Sequence, residues 1–353
     1  MTVTGALLHE RFPELRETLP HVRLGARPTA VRLLPGLSRG RAPVWLKDDG
    51  AFGDGGWGGN KVRKLEWLLP EVLRRGRRTI LTVGGLGTNW GLAAALYARE
   101  LGLETVLALV DQPLDDHVRA QLARLQRSGA TLHFTHTKAR TIAAVPLLLA
   151  RHTTGGRPPY FLPAGGSSPL GALGYVDAAL ELAAQVRDGA LPEPSHLVTA
   201  VGSGGTTAGL LLGLRLAGLH TRVVGVVVND TLKLDPHTIV RLARRAEHLL
   251  RRRGARLEQI DLTDQRLDIV RQWLGPGYGH PTPEGQRALQ LASEREDLQL
   301  EPVYTAKAIA ALLTMNAASS FGAGPVLYLH TNRQTPRTER PCAKVAPTWR
   351  NAP

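Results

Sequence analysis

The sequence predicts an α/β protein of two domains, each a three-layer α/β/α stack around a mainly parallel, twisted sheet. Three observations predict it. Short apolar runs alternate with longer amphipathic stretches along most of the 353 residues, the order that parallel sheets with right-handed crossovers require. Two glycine-rich turns, at 83–91 and 201–209, each lie between an apolar run and a helical one. The length and a hydrophobic content of 43% suffice for about two cores.

Taken in order, residues 44–47 read as a strand and 61–75 as a helix. Pro70 should bend that helix or end it early, because proline lacks the N–H and crowds the preceding turn. Strand–helix pairs follow at 79–83 and 89–101, at 105–110 and 115–128, and at 131–134 and about 138–151. Residues 160–163 and 195–201 are further strands, each followed by a helix. Residues 222–228 continue the alternation, and 326–329 form a late buried strand. The alternation before and after about residue 165 can form two sheets. This places a small domain at 64–165 and a large one at 1–63 plus 166–331, with a ligand cleft between them near strand C-termini. Residues 332–353 are basic, proline-containing and without apolar periodicity, and are expected to form a mobile tail.

Charge and composition narrow the function. The 44 Lys and Arg outnumber the 30 Asp and Glu, for a net charge of +14. The densest basic run is Arg241, Arg244, Arg245, Arg251, Arg252, Arg253 and Arg256, and neither zinc-finger spacing nor interleaved aromatics accompany it. A solvated helical face is expected there, rather than a nucleic-acid surface. No apolar run approaches the roughly 20 residues that cross a bilayer. The single cysteine, Cys342, cannot form an internal disulfide, and the N-terminal residues lack a signal pattern, so a cytoplasmic location is expected.

Five segments carry chemistry. In Gly58-Gly-Asn-Lys61-Val-Arg-Lys64-Leu-Glu66, a lysine stands between a glycine turn and an amphipathic helix. The turn lets a flat ligand approach the backbone, and an amine in a dry pocket beside other cations loses its proton readily and attacks carbonyls. A surface lysine after a loop is the plain alternative for that residue alone. Val201-Gly-Ser-Gly-Gly-Thr-Thr-Ala-Gly209 converges several N–H groups at a helix start, which suits a phosphate, although a tight turn would also use these glycines. Val83-Gly-Gly-Leu-Gly-Thr88-Asn89-Trp90-Gly91 is a second such junction, suited to a carboxylate, with Thr88 and Asn89 where a helix cap belongs. Tyr278 sits in a glycine-rich turn, Gly275-Pro-Gly-Tyr278-Gly-His280. Tyr304 opens an apolar helix in Glu301-Pro-Val-Tyr304-Thr305-Ala-Lys307. Either tyrosine alone could equally be packing. No cluster has metal-ligand spacing, and no Gly-x-Ser-x-Gly elbow is present.

Together with Thr331 after the last strand and the stretch Tyr160-Phe-Leu-Pro-Ala-Gly-Gly-Ser-Ser-Pro-Leu-Gly-Ala-Leu-Gly-Tyr175, these motifs resemble the fold type II, tryptophan-synthase-β-like pyridoxal-phosphate enzymes. Within them the chain is most similar to the D-cysteine desulfhydrase and 1-aminocyclopropane-1-carboxylate deaminase family, over about residues 40–331. The resemblance implies pyridoxal 5'-phosphate as cofactor, a small amino acid as substrate and a homodimer. It implies that Lys61 forms the Schiff base and acts as the base at Cα. Lys64 and Gly202, Ser203, Gly204, Gly205, Thr206 and Thr207 would hold the phosphate, and Asn89 the ring oxygen. Thr88 would hold the substrate carboxylate, with Trp90, Tyr278 and Tyr304 lining the substrate side. Thr305 and Thr331 would lie near the pyridine nitrogen.

The implied reaction is elimination of a β-substituent, giving a 2-oxo acid and ammonia. Ring opening or β-replacement on a shifted substrate is the alternative, and a non-catalytic cofactor-binding protein is another. Thr305 favours the desulfhydrase branch, since the deaminase branch typically has glutamate there. Thr88 replaces a usual serine, Trp90 a usual histidine or glutamine, and Asn332-Arg333 a usual glycine pair. These changes bear on the substrate rather than on the cofactor.

Overall fold

The computed structural model describes residues 5–54, 57–263 and 266–332, so Cys342 and the basic tail from residue 333 on lie outside the described residues. Two short helices, α1 (Leu7–Arg11) and α2 (Leu15–Thr18), precede the strands β1 (Val31–Leu33) and β2 (Val44–Asp48). Then come α3 (Asn60–Arg74), β3 (Thr79–Gly85), α4 (Asn89–Glu100), β4 (Glu104–Val110), α5 (Asp116–Arg127), β5 (Thr131–His136), α6 (Lys138–Arg151) and β6 (Tyr160–Leu162). The rest is α7 (Pro169–Arg187), β7 (His196–Val201), α8 (Gly205–Leu216), β8 (Arg222–Val227), α9 (Pro236–Arg252), β9 (Leu267–Val270), α10 (Pro283–Glu296), α11 (Thr305–Ala317) and β10 (Val326–His330).

The strands form a six-stranded sheet, β1-β2-β10-β7-β8-β9, and a four-stranded sheet, β5-β4-β3-β6. Each adjacent pair runs parallel except β1 with β2. Both sheets are covered on both faces, as parallel sheets are. In the larger one, Leu197, Val223, Val227 and Leu327 pack against α7, α8 and α9, while Val198, Val224, Val226 and Tyr328 pack under α10 and α11. In the smaller one, Ile80, Leu107 and Leu162 meet α3 and α4, and Leu81, Val106 and Ala108 meet Leu148 of α6. Successive residues of a strand point to opposite faces, which is why neighbours such as Leu197 and Val198 serve different cores.

The helix does not stop at Pro70: α3 continues through it to Arg74. Pro70 has no N–H for the carbonyl of Glu66, one turn earlier. That carbonyl accepts from Val22 N at 3.0 Å instead, so the helix leaves no acceptor unpaired there. Helix α3 also serves both cores, with Trp67 in the larger and Leu65 and Leu68 in the smaller, so the boundary expected between residues 63 and 64 falls inside a helix.

Arg63 anchors α3 from below. Its guanidinium bonds Asp49 at 2.8 and 2.9 Å and Glu181 at 3.0 and 3.1 Å, while Lys47 bonds Glu181 at 2.6 Å and Tyr175 bonds Asp49 at 2.9 Å. All five residues are buried. Such a network contributes little net stability against its desolvation, but it allows one geometry. Here it ties α3 to β2 and α7 and turns Lys61 and Lys64 the other way. The arginine run lies on α9, whose buried side is Ile239, Val240, Ala243, Ala246 and Leu250. Arg241, Arg244, Arg245, Arg251 and Arg252 face solvent.

Candidate active site

The C-terminal ends of the two sheets flank a cleft of about 370 Å³, within the range of small-ligand sites. On the side of the larger sheet, β7 ends at Val201 and the chain turns through Gly202–Gly204 into α8. Gly204 caps that helix at φ +84, a left-handed conformation where a side chain would also strike Ile239. Asn229, itself on the cleft wall, donates from Nδ2 to Gly202 O at 2.9 Å and holds the loop. Ser167 accepts the Gly205 N–H at 2.9 Å and meets Ser203 Oγ at 2.8 Å, and Asn60 Nδ2 donates to Thr206 Oγ1 at 3.2 Å.

Lys61 and Lys64 enter the same cleft from the first turn of α3. The start of α3 is fixed to the larger sheet by Asn60 N, which donates to Thr331 O at 3.0 Å. Burial lowers the Lys61 amine to about 8, against an opposing pull from Glu301. Burial and the neighbouring Lys61 put Lys64 well below the usual lysine range. Lys64 Nζ donates to Gly165 O at 3.0 Å.

Across the cleft, β3 runs through Gly84 and Gly85 into α4. Thr88 is the N-cap, its hydroxyl accepting from Gly91 N at 3.1 Å. Asn89 Oδ1 accepts from Gln121 at 2.6 Å, and Gln121 Oε1 accepts from Arg124 at 2.8 Å. This chain fixes the Asn89 amide with its NH2 as the donor left for the cleft. Trp90 lines the cleft but keeps its polar atom inside: Nε1 donates to Thr82 Oγ1 at 2.7 Å, and Thr82 donates on to Leu162 O at 2.7 Å.

Tyr278 and Tyr304 close a third side and are joined by a 2.8 Å hydroxyl–hydroxyl hydrogen bond. Behind them Glu301 is buried, and burial raises its carboxyl to about 7, while the backbone N–H groups of Val303, Tyr304 and Thr305 and the Lys307 ammonium oppose that rise. Thr331 and Asn332 line the cleft beyond β10.

The structure thus brings Lys61, Lys64, Thr88, Asn89, Trp90, Gly202, Ser203, Gly204, Thr206, Tyr278, Tyr304 and Thr331 onto one cleft, while Gly205 and Thr305 lie behind its wall. The Gly205 N–H is turned to Ser167. The Thr305 hydroxyl is taken by the backbone of Glu301, accepting from its N at 2.6 Å and donating to its O at 3.1 Å. A threonine in the first turn of α11 returns to the preceding backbone, a local competition that its sequence position does not reveal. Ser167, Gln121 and Glu301 are further residues of the site that no sequence motif assigns. Ser167 had a signal, since it stands in the Gly-Gly-Ser-Ser-Pro stretch before α7. Among the described residues no group of three or more His, Cys, Asp or Glu could hold a metal ion.

Comparison with known proteins gives the family. The family model described as "pyridoxal-phosphate dependent enzyme" matches residues 22–332. The chain belongs to that family. A D-cysteine desulfhydrase of Klebsiella pneumoniae (strain 342) is 36% identical over 320 residues, covering 88% of this chain and 93% of its own. One from Salmonella paratyphi A is 33% identical over 321 residues, with the same coverage, 88% and 93%. The crystal structure of an ACC deaminase homologue superposes with a TM-score of 0.79 at 30% identity, covering 92% of this chain and 95% of that one.

The residues present fit the family's cofactor, pyridoxal phosphate. A Cβ on Gly205 would lie 2.6 Å from Ser167 Oγ and 3.1 Å from Lys64 Nζ, so the cradle is shaped by bare backbone. Thr207 lines the cleft with a buried hydroxyl that has no protein partner. Converging N–H groups, hydroxyls and a lysine at a helix start are the donor set a phosphate requires.

Proposed function

We propose that the protein is a pyridoxal-phosphate-dependent lyase that eliminates the β-substituent of a small amino acid of the D-cysteine type, giving a 2-oxo acid, ammonia and, from cysteine, sulfide. The observation that carries this reading is the convergence on one cleft of Lys61, the Gly202–Thr207 cradle and the Thr88–Asn89 helix start. Gly202, Ser203, Gly204, Thr206 and Lys64 would hold the phosphate, with Gly205 and Ser167 shaping the loop from behind. Asn89 would donate to the ring oxygen. Pyridoxal phosphate, when bound, acidifies the substrate Cα–H and takes up the electrons that its loss leaves behind.

The protein's own groups do the rest. Thr88 and the first N–H groups of α4 bind the substrate carboxylate, because a helix start presents unpaired donors and positive potential. Lys61 Nζ, lowered to about 8, is in part unprotonated near neutral pH and removes the Cα proton. Tyr278, held by Tyr304, faces the departing β-substituent and supplies its proton. Trp90 walls the cleft with carbon, its N–H already committed to Thr82. The two sheets act as two lobes, about 75–165 and 1–59 plus 166–331, joined by the shared helix α3, in a cytoplasmic homodimer, whose mass light scattering would measure.

The test is product analysis. Protein supplied with pyridoxal phosphate should convert D-cysteine to pyruvate, sulfide and ammonia in equal amounts. 2-Oxobutanoate from 1-aminocyclopropane-1-carboxylate without turnover of cysteine would move the reading to ring opening, for which the altered Trp90 wall is the motive. Cofactor uptake with no product from any amino acid would leave a binding protein.

A further inference from the structure

The turn that carries Tyr278 has little to fix its own shape. The neighbours Gly277 and Gly279 sit at φ +140 and +86, a region that glycine alone adopts freely. Such a turn places a side chain only when something outside it does the holding. Lys307 Nζ fixes where the turn begins, donating to Leu274 O at 2.8 Å. Among the described residues, one backbone hydrogen bond ties residues 275–280 to another element: Tyr278 N donates to Asp230 Oδ1 at 3.1 Å. The carboxylate is seated against the turn, since a Cβ on Gly277 would lie 3.0 Å from Asp230 Oδ2. Tyr304 thus holds the hydroxyl end of Tyr278, and Asp230 holds its backbone end.

Asp230 belongs to a short loop after β8, and its two neighbours brace that loop. Asn229 Oδ1 accepts from both N and Oγ1 of Thr231, at 2.8 and 2.7 Å, so the loop closes on itself. Asn229 Nδ2 joins it to Gly202 O, in the glycine turn before α8. Thr231 O accepts from Lys138 Nζ at 3.0 Å, and Lys138 is the first residue of α6. Helix α6 belongs to the lobe that carries Thr88 and Asn89, so this bond spans the cleft. Three successive residues thereby touch the glycine turn, the Tyr278 turn and the opposite lobe. Asn229, Thr231, Lys138 and Tyr278 line the cleft, whereas Asp230 lies outside its wall. Its effect on a reaction in the cleft must pass through Tyr278.

We propose that Asp230 is the positioning residue of the proton donor: it holds the Tyr278 main chain so that the hydroxyl meets the departing group, and Lys138 braces its loop from the opposite lobe. This rests on the lyase reading of the cleft. In the step concerned the Cβ–S bond breaks, its electron pair goes to sulfur, and the Tyr278 proton joins that sulfur. A chloride on Cβ leaves with the same electron pair and takes no proton, because it is the anion of a strong acid. The two leaving groups therefore differ in their need for a well-placed Tyr278, and through it for Asp230. A residue that served the fold alone would matter equally to both.

The experiment compares D-cysteine with β-chloro-D-alanine as substrates of the full-length protein loaded with pyridoxal phosphate. Asp230→Ala should lower kcat on D-cysteine about tenfold, the scale of a lost hydrogen bond to a charged group, with little change in KM and none in kcat on β-chloro-D-alanine. Asp230→Asn keeps an acceptor oxygen and should recover most of the lost rate. Lys138→Met should slow D-cysteine alone, by a smaller factor. A second readout needs no turnover. Amide hydrogen exchange of the cofactor-free protein, followed on the peptide that holds residues 275–280, should quicken in Asp230→Ala and keep the wild-type rate in Asp230→Asn. Equal losses on the two substrates, an undiminished rate on D-cysteine, or unchanged exchange in Asp230→Ala would overturn the proposal. A wild type that eliminates from neither amino acid would instead overturn the lyase reading on which it rests.

Discussion

Tyr304 Oη donates to Tyr278 Oη at 2.8 Å, with the rings edge-to-face at 80° and centroids 6.1 Å apart. The two residues come from a glycine-rich turn and a helix start, and they meet only in the fold. Burial raises both phenols, so each keeps its proton across the physiological range. Because Tyr304 donates to Tyr278, the Tyr278 proton is left to point elsewhere. In the proposed elimination, that proton would go to the leaving group.

Tyr278→Phe is therefore expected to lower kcat on cysteine by about a hundredfold, the scale of a lost general acid, with little change in KM. Tyr304→Phe removes only the positioning bond, worth about 1 kcal/mol, and should cost about fivefold. The double variant should be no slower than Tyr278→Phe, because Tyr304 acts through its partner. Additive losses in steady-state kinetics would show that the two act independently.

The Glu301 carboxyl gives the cofactor-free protein a distinctive pH dependence. Its pKa is about 7 in the fold and near 4.5 unfolded. Between those values the unfolded chain has lost a proton that the folded one keeps, so this group's contribution to stability falls as pH rises through that window. Below about 4.5 the penalty is absent, and above about 7 it is constant at roughly 3 kcal/mol. Urea unfolding at pH 5 and 7.5 should show the decline in the wild type. Glu301→Gln should flatten it, though that variant loses an acceptor for Val303 or Tyr304 and should be less stable at pH 5. An unchanged slope would contradict the assignment.

Arg63 holds α3 in place from beneath the cleft. Arg63→Ala leaves Asp49 and Glu181 buried against Lys47 alone, and is expected to destabilise the fold by about 3–5 kcal/mol. Arg63→Lys should rescue little of this, because an ammonium lacks the planar fork with which the guanidinium makes two hydrogen bonds to each carboxylate. Chemical denaturation measures both.

The lowered Lys61 amine predicts when the protein takes up its cofactor. The rate of pyridoxal phosphate incorporation should rise with pH through about 8 and level off above it, following the unprotonated fraction of the amine. A rate that keeps rising to the ordinary lysine range would mean the amine is not shifted.

Lys61, Thr88 and the glycine loops were legible in the sequence because each is a local pattern: glycines where backbone must converge, a cap residue before a periodic run, a lysine at a fixed offset. The alternation of strands and helices was legible for the same reason. What could not be read depends on partners distant in the chain. Pro70 fits inside α3 because Val22, far earlier, takes the carbonyl it leaves open. Asn89 is oriented by Gln121 from the next helix, and Trp90 is anchored by Thr82 on the preceding strand. Thr305 departs from its expected place through a neighbour, Glu301, whose burial no short pattern shows. The strands β1 and β9, of three and four residues, are too short for a period of two to stand out.

The most direct test traps the bond on which the account rests. Protein incubated with pyridoxal phosphate is reduced with borohydride, digested and mapped by mass spectrometry, with Lys61→Ala as the comparison. One modified peptide is expected, carrying the pyridoxyl group on Lys61. Lys61→Ala should lack both the visible absorbance band and turnover of D-cysteine. A pyridoxyl group on Lys64 or another lysine, or a Lys61→Ala protein that still releases pyruvate, would contradict it.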